Sequence, residues 1–325
     1  HAHRLHLYSL KGRERDMVVV LWVNSKVFAN FCLREKHLHR LQQNLPDIHF
    51  IHCETKEQFL AALPRADIAC SSSFKAEWFS SAPRLRRLIS PTAGRDWFPT
   101  ELPPGVSFEF SIFHGRIMAE TVVGMMLSHA RGLLRAYSLQ REEAWPNQKL
   151  EQGLRLLNRS RVTVLGFGHI GSHVGRLVKS FGAAITGLRR SPGAKPDYFT
   201  EEDRLLPADR LDEVLPETDH LVLCLPATAE TTGILDGKQM ALLPQRAGIY
   251  NVGRGNAVDE EALADLLRER PLCEAYLDVF REEPLPAESP LRRLPNCLIL
   301  PHVSANAPEY LDLFIDELID RLSGE

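Results

Sequence analysis

The feature that most restricts how this chain can fold is Gly166-Phe167-Gly168-His169-Ile170-Gly171, a G-x-G-x-x-G spacing directly behind a short apolar run over 162–165. A run that short reads as a buried strand, and Ile170, Val174, Leu177, Val178 and Phe181 then recur at helical spacing. The stretch 183–188 reads as the next strand. In such a βαβ unit the first glycine makes the tight turn, the second lets a pyrophosphate approach the backbone, and the third lets helix and strand pack closely. The helix aims its first N–H groups at the phosphates, so Gly166, Gly168, His169, Ile170 and Gly171 are the expected contacts of a dinucleotide. Gly175, one turn further on, is expected to thin the helix against the sheet. A glycine-rich turn alone is weak evidence; a strand before it and a helix and strand after it give it weight.

The position after the second strand selects the nicotinamide cofactor. An acidic residue there holds the ribose hydroxyls of NAD, whereas arginine suits the 2′-phosphate of NADP. Eighteen residues beyond Gly171 stands Arg189, followed by Arg190 and Ser191. A guanidinium offers a planar fork to phosphate, so NADP(H) is the expected cofactor and NAD(H) the second option. The plainer alternative is two arginines on a solvated edge.

At 325 residues, with 44% hydrophobic and 25% charged, the chain is long enough for two globular domains. Its net charge of −3 gives no basic field for nucleic acid, and its longest apolar stretches are too short or too interrupted to span a bilayer. Cys32, Cys53, Cys70, Cys224, Cys273 and Cys297 lie far apart without a C-x-x-C pair. They read as buried thiols of a reducing cytoplasm, with no disulfide framework and no metal site. Residues 1–16, with His1, His3 and His6 and no apolar core, read as a tag or extension outside the fold.

From Met17 onward, apolar runs alternate with amphipathic segments. Strands are expected over 18–23, 48–52, 68–70 and 88–90, with helices over 29–43, 56–62 and 76–81. That alternation predicts a parallel sheet covered on both faces. Its strand-end loop Thr92-Ala93-Gly94-Arg95-Asp96 can offer backbone N–H groups to an anion, or is an ordinary turn using Gly94. Prolines 99, 103 and 104 mark a connection, and a long helix over 114–137 follows with apolar residues on more than one face. Such a helix is buried between domains or paired with another subunit. After 183–188 come a proline-rich polar segment to 207, strands over 221–225, 248–252, 274–277 and 297–300, and helices over 211–215, 237–242, 259–268 and 307–322, the third capped by Asp259. The whole predicts an α/β protein of two doubly wound parallel-sheet domains with a cleft between them: 17–98 for substrate, 99–300 for dinucleotide, and 301–325 returning to the first.

Three polar residues stand at or beyond strand ends in the second half: Arg254, Glu283 and His302. Strand ends of one sheet meet at one crevice, so residues distant in sequence can gather at a nicotinamide ring. Reducing a 2-keto acid needs a hydride, a proton for the developing alkoxide and a cation for the carboxylate. Histidine suits the proton, since it titrates near neutrality unaided. A carboxylate at Glu283 bonded to that imidazole would fix its orientation and complement its charge. Arg254 can clamp a carboxylate and polarise the adjacent carbonyl. Taken singly, each has a plain reading as a loop cap, a turn residue or a solvated charge.

Together, VLGFGHIGSHVG, LPATAETTGIL, NVGRGNAVDEEAL, LDVFREEPLP and PHVSA resemble the D-isomer-specific 2-hydroxyacid dehydrogenases, over nearly the whole chain from Met17. The resemblance implies a flavodoxin-like substrate domain and a Rossmann dinucleotide-binding domain, with Arg254, Glu283 and His302 as the catalytic triad. It implies that Ala93, Gly94 and Arg95 meet the substrate carboxylate with Arg254, that Leu225, Pro226, Thr232, Val252 and Asp278 line the cofactor, and that the helix after His114 builds a homodimer. Within that family the glyoxylate/hydroxypyruvate reductases fit best. Arg95 departs from a more usual small apolar residue, either to meet a doubly anionic substrate or to face solvent. No regulatory amino-acid-binding domain is expected beyond the last helix. A nucleotide-sensing corepressor on the same fold is the alternative from another class. A formate dehydrogenase is disfavoured, because that group uses glutamine where Glu283 stands.

Overall fold

Short runs of valine, isoleucine and leucine become parallel strands wherever amphipathic helices cover both faces, and this happens twice along the chain. The computed structural model describes residues 17–141, 145–191 and 193–324; the expected extension over residues 1–16 lies outside them. Two units result, one running to Ser111 and resuming at Pro308, the other spanning Ile112–Ala307.

The first unit contains β1 (Met17–Trp22), α1 (Glu35–Asn44), β2 (Ile48–His52), α2 (Lys56–Ala62), β3 (Ile68–Ser71), β4 (Arg87–Ser90) and β5 (Ser107–Phe110). Every strand pair is parallel in the order β2-β1-β3-β4-β5, the flavodoxin-like winding. Thr55 starts α2 through a reciprocal capping box with Gln58. Trp22, Phe59, Phe74 and Trp78 fill one face as a cluster of tilted and edge-to-face rings. The C-terminal helix (Tyr310–Leu322) docks on this unit. Its Tyr310 hydroxyl donates to the Pro91 carbonyl at 2.7 Å, and Arg321 Nη1 donates to Glu109 Oε2 at 3.1 Å. Glu109 also receives Arg87 Nε at 2.8 Å, so the helix grips β5 through one carboxylate. The unit runs to Ser111, with β5 paired to β4, and resumes at Pro308, where the expected bounds were 98 and 301.

The second unit opens with α3 (His114–Ala130), α4 (Leu133–Leu139) and α5 (Asn147–Glu151). Then come β6 (Arg161–Leu165), α6 (His169–Lys179), β7 (Ala184–Arg189), β8 (Arg204–Pro207), α7 (Leu211–Val214) and β9 (His220–Leu223). The winding ends with α8 (Gly237–Leu242), β10 (Gly248–Asn251), α9 (Glu260–Glu269), β11 (Glu274–Leu277) and β12 (Cys297–Ile299). Its all-parallel order is β12-β11-β10-β9-β6-β7-β8, so the winding reverses between β6 and β9. Asp259 caps α9 as expected, accepting from Glu261 N and Ala262 N at 3.1 Å each.

Several expectations are corrected. β5 and β8 were read as connections; both are edge strands beside prolines, where half the ladder is unmade and the sequence is free to be polar. The long helix expected over 114–137 breaks at Gly132, whose φ of +62° glycine adopts without strain. The helix expected from Ala29 starts at Glu35, behind a 3-10 turn, and 76–81 is likewise 3-10. Gly175 makes room not for the sheet but for Tyr198 and Phe167, which lie 2.9 and 3.0 Å from where its Cβ would stand. The six cysteines are free thiols, and no helix among the described residues is long and apolar enough to cross a membrane.

The amino-terminal edge of the second sheet is an enclosed polar layer. Tyr250 Oη lies 2.8 Å from His220 Nδ1 and 3.1 Å from His129 Nδ1, and the Tyr276 hydroxyl donates to Glu274 Oε2 at 2.6 Å. Burial raises the Glu274 carboxyl to about 7, against the opposing pull of Tyr276, Arg135 and Arg155. Burial also lowers His129 to about 3 and His220 well below the usual histidine range. A carboxyl raised by folding holds its proton more tightly in the native state, so its contribution is greatest below about pH 4.5 and is lost as pH rises through about 7. The buried histidines act in the opposite direction, which makes a difference measurement the clean one. Glu274→Gln is expected to match the parent in Tm near about pH 5 and to melt a few degrees higher near about pH 8. A pH-independent offset between the two melting curves would refute burial of a titrating carboxyl as the cause.

Candidate active site

Because both sheets are wholly parallel, every strand of the second unit delivers its following loop to one carboxyl-terminal edge. Ligands of open α/β sheets bind outside that edge, at the point where the winding reverses. Here that point lies between β6 and β9.

The glycine turn after β6 has the division of labour its spacing predicts. Gly166 has φ +92°, and a Cβ there would stand 2.6 Å from the Cys224 carbonyl oxygen. At Gly168 nothing lies within 4 Å of a built Cβ, which is the open space a pyrophosphate needs. A Cβ on Gly171 would press to 2.5 Å from the Gly166 oxygen and 3.0 Å from Val164. Beyond the turn, the first N–H groups of α6, on His169, Ile170 and Gly171, are those a helix leaves without intrahelical partners. The residues therefore fit a dinucleotide. Such a cofactor would be held by that turn and helix start, with Arg189 half-buried at the end of β7 and Arg190 and Ser191 exposed beyond it.

The same steric device binds the neighbouring loops together. The chain leaving β9 runs past Gly253, where a Cβ would lie 2.5 Å from Leu225 N. Gly255 lies against the next loop, with a built Cβ only 1.9 Å from the Phe280 carbonyl carbon. Arg254 thus sits between two glycines because its loop is wedged between the loops after β9 and β11. Asn251 holds it there: Nδ2 donates to the Arg254 carbonyl at 3.1 Å and Oδ1 accepts from Gly253 N at 3.1 Å. Arg254 Nη1 donates to the Gly253 carbonyl at 2.8 Å. Asn256 ties this loop to the one after β9 through Thr232 Oγ1 at 2.9 Å, and Thr232 in turn donates to the Thr228 carbonyl at 2.8 Å. Asn251 and Asn256 escaped the sequence reading. The available signal was a short amide side chain three residues before Arg254 and another two residues after it, in a segment otherwise apolar.

Glu283 and His302 meet directly. His302 Nδ1 lies 2.7 Å from Glu283 Oε2, and Glu283 Oε1 accepts from Phe280 N at 3.0 Å, so the carboxylate is fixed by its own loop before it orients the ring. Their side chains keep 45% and 35% of their surface exposed, which leaves the imidazole reachable from solvent. His302 has φ +54°, a left-handed conformation that is uncommon for a residue with a Cβ. It is held by Asp278, whose carbonyl accepts His302 N at 2.9 Å and whose carboxylate oxygens accept Val303 N at 2.7 Å and Ser304 N at 3.0 Å. Asp278, expected toward the cofactor, is fully buried and has both carboxylate oxygens engaged in this clamp. Val252 is buried at the end of β10, and Leu225 and Pro226 follow β9 at the same edge.

A family profile described as D-isomer specific 2-hydroxyacid dehydrogenase, NAD binding domain, matches residues 123–304. The chain belongs to the D-isomer-specific 2-hydroxyacid dehydrogenase family. Its members are NAD(P)-dependent oxidoreductases acting on CH–OH donors. Among curated relatives, a glyoxylate/hydroxypyruvate reductase B of Pectobacterium atrosepticum is 32% identical over 258 residues, covering 77% of this chain and 79% of the relative. Among solved structures, a family dehydrogenase of Xanthobacter autotrophicus in complex with NADPH and MES superposes with a TM-score of 0.77 at 28% identity, covering 95% and 96% of the two chains. A probable 2-hydroxyacid dehydrogenase of Rhizobium etli, bound to NADP, HEPES and L(+)-tartaric acid, gives 0.75 at 27% identity, covering 96% of each.

The remaining expected site residues of this dehydrogenase, Ala93, Gly94 and Arg95, belong to the first unit. Thr92 shapes their loop, its N–H donating to the Ser90 hydroxyl oxygen at 3.0 Å and its Oγ1 donating to the Gly94 carbonyl at 3.1 Å. The amides of Ala93 and Gly94 have no hydrogen-bond partner among the described residues. Arg95 is exposed, as one of its two expected readings has it, and it also makes contacts within its own unit. Its Nη2 donates to the carbonyls of Pro99 and Thr100 at 3.0 and 3.1 Å, and its guanidinium lies 5.1 Å over the Phe108 ring, bracing its own loop.

Two glycines of the turn should respond differently to a methyl group. Gly168→Ala, entering open space, is expected to leave Tm within about a degree while weakening NAD(P)H binding about tenfold or more; Gly171→Ala should lower Tm by several degrees through its backbone clash. Fluorescence titration and thermal melts of both variants check this, and equal Tm losses would refute the assignment of separate roles.

Proposed function

We propose that this dehydrogenase is an NADP(H)-preferring reductase of small 2-keto acids such as glyoxylate or hydroxypyruvate, forming D-2-hydroxy acids where the product is chiral. The observation that carries the reading is the Glu283–His302 contact of 2.7 Å, at the same sheet edge as the glycine turn and the Arg254 loop. Relatives named glyoxylate/hydroxypyruvate reductase B support the substrate class, and the NADPH and NADP complexes of similar dehydrogenases support the cofactor.

Bound NAD(P)H would supply the hydride received by the keto carbon. With Glu283 accepting from Nδ1, His302 presents Nε2 as the atom that delivers a proton to the developing alkoxide. Arg254 clamps the substrate carboxylate and polarises the neighbouring carbonyl. The Ala93 and Gly94 amides, without hydrogen-bond partners among the described residues, can serve as neutral anion donors in the first unit, with the exposed Arg95 beside them. Asp278 acts on the chemistry by fixing the turn that bears His302, while Arg189, with Arg190 and Ser191, takes the adenosine 2′-phosphate. A homodimer through α3 and α4 fits the exposed Leu133 and Tyr137, 58% and 55% accessible, and free thiols fit a cytoplasmic enzyme.

The test is a keto-acid panel run in parallel with NADPH and NADH. Glyoxylate or hydroxypyruvate with NADPH is expected to give the highest kcat/KM, and a preference for NADH would refute the role given to Arg189. His302→Ala and Arg254→Ala are each expected to lose at least about two orders of magnitude in kcat/KM, the usual scale for a lost general acid or charge clamp. Near-parental turnover in either variant would overturn the assignment.

A further inference from the structure

Helix α6 carries more than the glycine turn. His169, Ser172 and Arg176 follow one another at three- and four-residue steps and so share one stripe of the helix. Asp197 and Tyr198 stand beside that stripe. Arg176 Nη2 pairs with Asp197 Oδ1 at 2.7 Å, and its guanidinium lies 4.7 Å over the Tyr198 ring. The Tyr198 hydroxyl donates to the Ser172 carbonyl at 2.7 Å, fastening the ring to the helix. Arg189 lies across Gly193, where a Cβ would come within 2.6 Å of its Nη1. These side chains line one open depression of about 490 Å³ next to Gly168.

Arg176 and Asp197 are 58% and 79% exposed, so their ion pair contributes little to stability. What it does is hold a guanidinium at one place on the rim, stacked on a fixed ring. We infer that Arg176 is a second specificity-determining cation for the 2′-phosphate on the adenosine ribose, and that Asp197 is the opposing charge that moderates it. This rests on the NADP(H) reading above. The charge arithmetic distinguishes it from mere bracing: a dianionic phosphate is attracted by Arg176 and repelled by Asp197, so the two partners of one ion pair must affect it with opposite sign. A pair that only tied Asp197 to the helix would give losses of the same sign from either side.

Calorimetric titration of the whole protein with adenosine 2′,5′-bisphosphate and with 5′-AMP reads this without turnover. Arg176→Gln is expected to weaken the bisphosphate about tenfold while leaving 5′-AMP within about twofold, the scale of one lost charge-assisted contact. Arg176→Lys should restore most of the loss, and Asp197→Asn should tighten the bisphosphate about twofold or more. Equal weakening of both ligands by Arg176→Gln, or weakening of the bisphosphate by Asp197→Asn, would overturn the inference. Should the parent bind the bisphosphate no better than 5′-AMP, the NADP(H) reading falls and takes this with it; should the parent discriminate and Arg176→Gln discriminate equally well, only the inference falls.

Discussion

Four loops at the carboxyl edge of the second sheet stand closer together than side chains allow. Gly166 meets the Cys224 carbonyl, Gly253 meets Leu225 and Gly255 meets Phe280, each at a distance where a Cβ could not exist without movement of backbone. The loops after β6, β9, β10 and β11 are therefore in register by contact, shoulder to shoulder. A catalytic group placed on any of them inherits its position from the sheet rather than from its own flexible segment. The amide side chains of Asn251 and Asn256 then fix what contact leaves free, one within the Arg254 loop and one between that loop and Thr232.

His302 shows how this rigidity is used. A left-handed backbone for a histidine is unfavourable by roughly a kilocalorie per mole, and such residues persist only where the surroundings over-determine them. Asp278 over-determines this one with three hydrogen bonds to consecutive residues of the turn. The ring is then directed by Glu283, itself fixed on Phe280 N. The imidazole is thus specified from the backbone side by one acid and from the ring side by another, with each acid anchored before it acts.

Much of this was legible because it follows from spacing. The glycine turn, the alternation that makes two parallel sheets, the Asp259 cap, and Arg254, Glu283 and His302 as strand-end residues all follow from rules that act over a few residues. What was not legible depends on neighbours distant in sequence. β5 and β8 lack the apolar signature because an edge strand has only one partner, and prolines beside them mimic a linker. The hold of Arg95 on the Pro99 and Thr100 carbonyls and over the Phe108 ring depends on how its own loop folds back. The clamp that Asp278 makes on Val303 and Ser304 depends on a turn a strand away, which no local spacing announces.

The two edges of the second sheet make the same point about residue chemistry. Each sets histidine and glutamate beside strand ends: His129, His220 and Glu274 at the amino edge, His302 and Glu283 at the carboxyl edge. At the amino edge enclosure decides the outcome, keeping the imidazoles neutral and drawing the Glu274 carboxyl up to about 7. At the carboxyl edge the same residue types keep between a third and a half of their side-chain surface open and form a short directed contact. Histidine and glutamate near strand ends are therefore no mark of catalysis by themselves. What marks the carboxyl-edge residues is the direct contact of imidazole and carboxylate, on the edge of the sheet where open α/β folds bind ligands.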